Sequence, residues 1–247
     1  MPSQAQIDDF ALSARTAYRA VYNTFERSAL DEGAAPTALG NECFTVSTKS
    51  ATVEVFGALK IEQLAGRRRA AGKAVPHNAR IAVVMSSKDI YAFDDTKPAN
   101  EGSYLQKAFV NVGYYNVTTK HGWQTLLGLH YDFDSRGATQ AHPIFHAQMH
   151  DGSAGKGIVG LAHTPAINAL TQQQVFDSVR IPTANMVGAS ALLKLSADHL
   201  SHDSFKTLLQ RLRGLAFFCN WRCNCSTLDD ANSARDLLAT GWYGMKA

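Results

Sequence analysis

The sequence predicts an α+β fold: a central antiparallel sheet flanked by N-terminal and C-terminal helices, in one domain spanning residues 1–247. Three observations predict it. Apolar residues recur at helical spacing from Gln4 to Asp31. Between Ala79 and Met149 the chain turns to β-branched and aromatic runs that alternate in polarity. From Pro165 onward the helical period returns. Helices, then strands, then helices describe a sheet with helical layers packed on it.

The first helix rests on Ile7, Phe10, Ala14, Tyr18, Val21, Tyr22 and Phe25, with Ser3 as its cap and Asp8 and Asp9 early in it. Gly33 to Gly40, with Pro36, reads as a break. Val53, Phe56, Leu59, Ile61 and Leu64 suggest a second helix from Ser50 to Ala71, although its Val and Thr residues favour it poorly. Its end carries Arg67, Arg68, Arg69 and Lys73, read as a solvated helix face, and Pro76 stops it. Residues to 75 thus form an N-terminal helical part, 76–150 a sheet, and 151–247 a C-terminal helical part.

In the sheet part, Ala79 to Ser87 and Asp89 to Phe93 read as strands paired across a tight turn, followed by the loop DDTKPANEGS. Phe109 to Val117 and Trp123 to Phe133 are further strands, with Ala141 to Met149 as the hairpin partner of the latter. The glycine-rich run Asp151 to Gly160 reads as a loop. Helices are expected at Pro165 to Ser178, Ala189 to Leu200, Ser204 to Cys219 and Asp229 to Thr240, with Pro182 as a break. Ser201 or Asp203 would cap the third of these, and Thr227 or Asp229 the last.

Composition bounds the function classes. The 247 residues are 45% hydrophobic and 18% charged, an ordinary globular balance and ample for a core. Scarce charge suggests either an interior large for the surface or surface covered by a protein partner or a second copy. A net charge of +3 is weakly basic, less than a dedicated nucleic-acid binder usually carries. Cys43, Cys219, Cys223 and Cys225 form no disulfide framework. The start MPSQAQIDDF lacks a basic-then-apolar leader, and no run reaches the roughly twenty apolar residues of a membrane span. A cytoplasmic location with reduced thiols and no membrane partner is the expectation.

The most telling feature is a concentration of histidine. Six of the nine histidines lie between His121 and His163, and His130, Asp132, Asp134, His142, His146 and His150 share one short stretch. Imidazole titrates near neutral pH, binds metals and moves protons. As a β-hairpin, this stretch puts His130, Asp132 and Asp134 on one face, beside His142, His146 and His150. As a helix opening at Pro143, it would instead set His142, His146 and His150 four apart, a metal-ligand spacing. The clean alternation of the first strand favours the hairpin, and either way His142 and His146 share a face.

Such a face suits two chemistries. Paired imidazoles could cleave a phosphodiester by general base and general acid, with Arg136 or Lys156 holding the phosphate. Alternatively, Asp132 and Asp134 with one or two histidines could hold a divalent metal that activates water. The structural alternative is that these groups only hydrogen-bond one another and anchor loops.

The order HYDFD (His130 to Asp134), HPIFH (His142 to His146) and RIP (Arg180 to Pro182) resembles an uncharacterised bacterial family of unknown function. The resemblance implies an accessory-genome protein of toxin or phage-defence type. It carries over no catalytic residue.

Other motifs say less. GSAGKG (Gly152 to Gly157) lacks the spacing and hydroxyl of a phosphate loop. CNWRCNC (Cys219 to Cys225) reads as core cysteine more readily than as a zinc site. In SADHLSHDS, helix capping accounts for the serines and aspartates. HGW and GWYG read as core edges. The leading expectation is therefore a defence-type protein acting on nucleic acid, with His142, His146, His130, Asp132 and Asp134 as the site. A non-catalytic subunit of a nucleoprotein complex comes second, and a small-ligand or nucleotide sensor third.

Overall fold

The computed structural model describes residues 2–70, 73–93, 102–118, 122–134, 145–150, 180–182 and 186–219. The helix α1 (Gln4–Asp31) leads into the strands β1 (Ala35–Ala38), β2 (Phe44–Lys49), β3 (Thr52–Ala70), β4 (Lys73–Phe93), β5 (Ser103–Thr118), β6 (Gly122–Asp134), β7 (Phe145–His150) and β8 (Arg180–Pro182). Then come α2 (Gly188–His199), α3 (His202–Gly214) and the short α4 (Ala216–Cys219). The strands form one antiparallel sheet, in which β3 to β8 are neighbours in chain order. The collinear β1 and β2 share the outer edge of β3. The α+β architecture with a central antiparallel sheet is as the sequence predicts.

One face of this sheet makes the core. Val53, Val55, Leu59 and Ile61 of β3, Val83 and Met85 of β4, and Ala108, Val110 and Val112 of β5 are all fully buried on it. Tyr131 and Phe133 extend that face onto β6. Tyr18, Val21 and Phe25 of α1, Leu192 and Leu195 of α2, and Leu208 and Leu212 of α3 close over it. Phe10, Tyr91, Phe217 and Phe218 join in an aromatic cluster that seats α4, with Phe10 and Phe217 centroids 5.2 Å apart.

Local sequence accounts for the helix ends. Ser3 and Gln6 form a capping box at the start of α1. Ser201 caps α3, accepting from the Ser204 N–H at 3.2 Å. Glu32, just past α1, adds a second acceptor there, taking the Ser201 N–H at 2.7 Å and the Ser204 hydroxyl at 2.7 Å. The polar residues of SADHLSHDS are thus largely helix-end and helix-surface groups, with Lys194 and Asp198 paired one turn apart.

Several expectations need correction. The segment expected as a helix from Ser50 to Ala71 is instead β3 (Thr52–Ala70), and among the described residues before 75 the only helix is α1. The true period is two: buried Val53, Val55, Leu59 and Ile61 alternate with Glu54, Phe56 and Lys60 on the other face. A bulge at Gln63, where φ is +62°, restores Leu64 to the core and hides the alternation. Ala79 to Phe93 is not a hairpin but part of one continuous strand. Ser87 and Asp89, which resemble turn residues, are instead buried on its core face.

Pro76 stops nothing. It lies inside β4 where β3 is the only paired neighbour among the described residues, so the missing N–H costs no second ladder. Arg180 to Pro182 is a strand, not a break between helices. The expected helix from Ser204 to Cys219 is interrupted at Leu215. The helices at Pro165 to Ser178 and Asp229 to Thr240 lie outside the described residues, as do the glycine-rich run with Lys156 and most of CNWRCNC.

Candidate functional site

The outer face of the sheet, away from the helices, carries polar residues of β5, β6 and β7, and β8 pairs with β7 beyond them. Register brings them into two rows. In one, Phe109, Asp132, His146 and Pro182 are successive cross-strand partners. In the next, Asn111, His130, Gln148 and Arg180 are partners. Neighbouring strands lie about 4.8 Å apart, so His130 and Arg180 occupy positions roughly 10 Å apart, 50 residues apart in the chain. Residues 145–150 are strand, which decides against the helical reading of that part of the histidine stretch.

His130 is half-buried, and its Nδ1 lies 2.6 Å from Asn111 Oδ1. An amide oxygen can only accept, so Nδ1 donates and the neutral ring keeps its lone pair on Nε2. Desolvation pushes the His130 pKa below its ordinary value, and the charge of Asp132 opposes this more weakly. The ring also lies near-parallel to Phe109, centroids 6.4 Å apart. Asp132 sits directly opposite His146, which is only 2% exposed. Asp134 is the register partner of Lys107.

His130, Asp132 and His146 are thus brought onto one face. His142, Arg136 and Lys156 lie outside the described residues. Among the described residues no three His, Cys, Asp or Glu side chains are grouped to hold a metal ion. Asn111 and Arg180 were missed from the sequence. Only the register between distant strands aligns them with His130, although alternation within Phe109 to Val117 would have put Asn111 on the polar face.

A second polar cluster lies inside the core. Tyr18 donates its hydroxyl to Asp89 Oδ2 at 2.6 Å and lies 2.7 Å from the Tyr91 hydroxyl. The same Oδ2 accepts the Gly188 N–H at 3.0 Å, so Asp89 caps α2, whose N-cap Val187 has no side chain to do so. Burial raises the Asp89 pKa to about 7, against the opposing effect of both hydrogen bonds. The residue is fully buried, which makes this a structural pin and no reaction centre.

A cleft of about 340 Å³ lies between α1 and the β1–β2 connection, with Arg19 and Glu42 paired at 3.2 Å in its lining. Cys43 beside it is buried, with its thiol pKa pushed well up by desolvation, so it is no ready nucleophile.

No helix among the described residues is long and apolar enough to cross a membrane. No protein-family model matches the chain, and no curated protein and no solved structure matches it either.

Proposed function

We propose that this chain acts on nucleic acid, with the outer face of β5 to β8 as a histidine-dependent phosphodiesterase site. The observation that carries this reading is the hydrogen bond from His130 Nδ1 to Asn111. It leaves Nε2 as the basic nitrogen of a ring whose pKa is lowered, the state a general base needs near neutral pH. In this reading Nε2 takes the proton of the attacking hydroxyl or water as its oxygen bonds to phosphorus. The bond to the leaving oxygen then breaks, and that oxygen takes a proton from a second acid. His142 is proposed for that acid.

Asp132 and His146, opposed on neighbouring strands, would orient His130 from beside it; the burial of His146 suits support better than contact with substrate. Arg180, in the row of His130, joins Arg136 and Lys156 as a proposed phosphate-holding cation. The bacterial toxin or phage-defence setting belongs to the same proposal and rests on HYDFD, HPIFH and RIP.

The test is cleavage of single-stranded RNA and DNA by wild type and His130→Ala, with and without chelator. Loss of a general base should slow cleavage by about 10²–10⁴-fold while the circular dichroism spectrum is kept. Cleavage by His130→Ala at the wild-type rate would overturn the proposed role. The burial of His146 favours one alternative, a non-catalytic nucleic-acid-binding subunit; binding without any cleavage would select it.

A further inference from the structure

The β3/β4 hairpin outruns the sheet. The last pairing of β3 with β1 is at Glu62, and the last of β4 with β5 is at Ile81. Pairing between β3 and β4 nevertheless continues from Ala65 opposite Arg80 to Ala70 opposite Lys73. Among the described residues this stretch is a two-stranded ribbon with no third strand. At about 3.3 Å per residue it extends roughly 20 Å.

Its charge is one-sided. Residues 65–80 hold Arg67, Arg68, Arg69, Lys73 and Arg80 and no acidic residue. The other 231 residues hold 19 basic and 21 acidic side chains, so the chain's net positive charge resides in this ribbon. Register pairs Arg67 with Pro76, Arg68 with Val75, Arg69 with Ala74 and Ala70 with Lys73. Residues 65–80 include no Leu, Ile, Met, Phe, Tyr or Trp, so the stretch suits neither a protein core nor a hydrophobic partner pocket.

We infer that the Ala65–Arg80 ribbon is a DNA-binding arm that lies in a groove of B-form duplex and neutralises its phosphates. The major groove of B-DNA, about 12 Å wide, admits a two-stranded ribbon, whereas that of A-form RNA is too deep and narrow. The inference shares only nucleic acid with the proposed function, and it requires no cleavage.

The test is fluorescence anisotropy of full-length protein on a labelled DNA duplex of about 20 base pairs, from about 50 to 200 mM salt. Five phosphate contacts give a slope of log K against log salt of about −4 to −5. Replacing Arg67, Arg68 and Arg69 together by Gln should reduce that slope by about 2.7 and weaken binding about tenfold or more at 100 mM salt. The control removes the same charge from α3, as Lys206→Gln, Arg211→Gln and Arg213→Gln, and should bind as wild type. Circular dichroism of each variant establishes that the fold persists. The inference is overturned if wild type shows no salt-dependent DNA binding, or if the arm variant binds as wild type. It is equally overturned if the α3 variant loses as much, or if an RNA duplex or phosphatidylserine vesicles bind the arm as tightly as DNA does.

Discussion

Tyr18 of α1 donates its phenolic hydrogen to Asp89 of β4 at 2.6 Å, a buried polar tie between the first helix and the middle of the sheet. Asp89 is fully buried, and its second oxygen, Oδ1, has no hydrogen-bond partner among the described residues. The carboxyl therefore favours its neutral form, with a pKa near 7 in place of 3.8. The folded state holds a proton that the unfolded chain releases above about pH 4. Stability from this group is thus complete below pH 4 and is lost as pH rises through 7.

At about 1.36 kcal/mol per pH unit, the loss approaches 4 kcal/mol by pH 8. Asp89→Asn keeps an acceptor for Tyr18 and Gly188 but cannot ionise. Urea unfolding at pH 5 and pH 8 should show wild type losing stability with rising pH and the variant losing markedly less. Equal losses in both proteins would mean that Asp89 does not govern this pH dependence.

Gly57, Gly188, Phe44 and Ser87 meet where α2 presses on β3 and β4. A Cβ at Gly188 would overlap Ser87 Oγ and the Phe44 ring, and one at Gly57 would overlap the same groups. Gly188→Ala should cost about 1–3 kcal/mol through overpacking. Ser87 Oγ is itself buried without a hydrogen-bond partner among the described residues, so Ser87→Ala should be close to neutral. Combined with Gly188→Ala it should recover part of the loss. Additive denaturation midpoints would refute the shared contact.

Glu32 joins the end of α1 to the start of α3 through three acceptor contacts. Glu32→Ala should lower stability by about 0.5–2 kcal/mol, as removal of a helix cap does. Hydrogen exchange should rise first at the Ser201 amide, which donates to Glu32. Unchanged protection at that amide would show that Glu32 does not hold it.

His130 offers a spectroscopic prediction that needs no substrate. Nitrogen NMR at pH 8 should find the hydrogen on Nδ1, and Asn111→Ala should shift the tautomer mixture toward Nε2–H, the form usual in water. Asp132 raises the His130 pKa against desolvation, so Asp132→Asn should lower it further. A rise in that pKa in the variant would contradict the electrostatic account.

Elements with a clean local signal were legible in the sequence. The helical spacing behind the Ser3 cap and the alternation of LHYDFD named α1 and β6 almost to the residue. Where two periods overlapped, the sequence misled: Val53, Phe56 and Leu59 fit three-residue spacing, and the Gln63 bulge broke the strand pattern. Ser87 and Asp89 looked like turn residues because nothing local announces the partners, Tyr18 and Gly188, that make Asp89's burial tolerable. The same limit applied to the candidate site. His130 and Asp132 were visible as neighbours, but Arg180 joined them only through the pairing of β7 with β8.

The bond between Asp89 and the Gly188 amide spans 99 residues and gives the chain a timetable. At a synthesis rate of roughly 5–20 residues per second, about 5–20 s separate the emergence of the two groups from the ribosome. During that interval the apolar face of β3, β4 and β5 has α1 but not yet α2 to cover it. The nascent protein therefore passes through a stage in which the sheet's side of the core is made but not yet covered by α2. Exposed apolar surface and unpaired strand edges make such an intermediate prone to aggregate, and codon choice or temperature that lengthens the interval should reduce the soluble yield before it alters the finished fold.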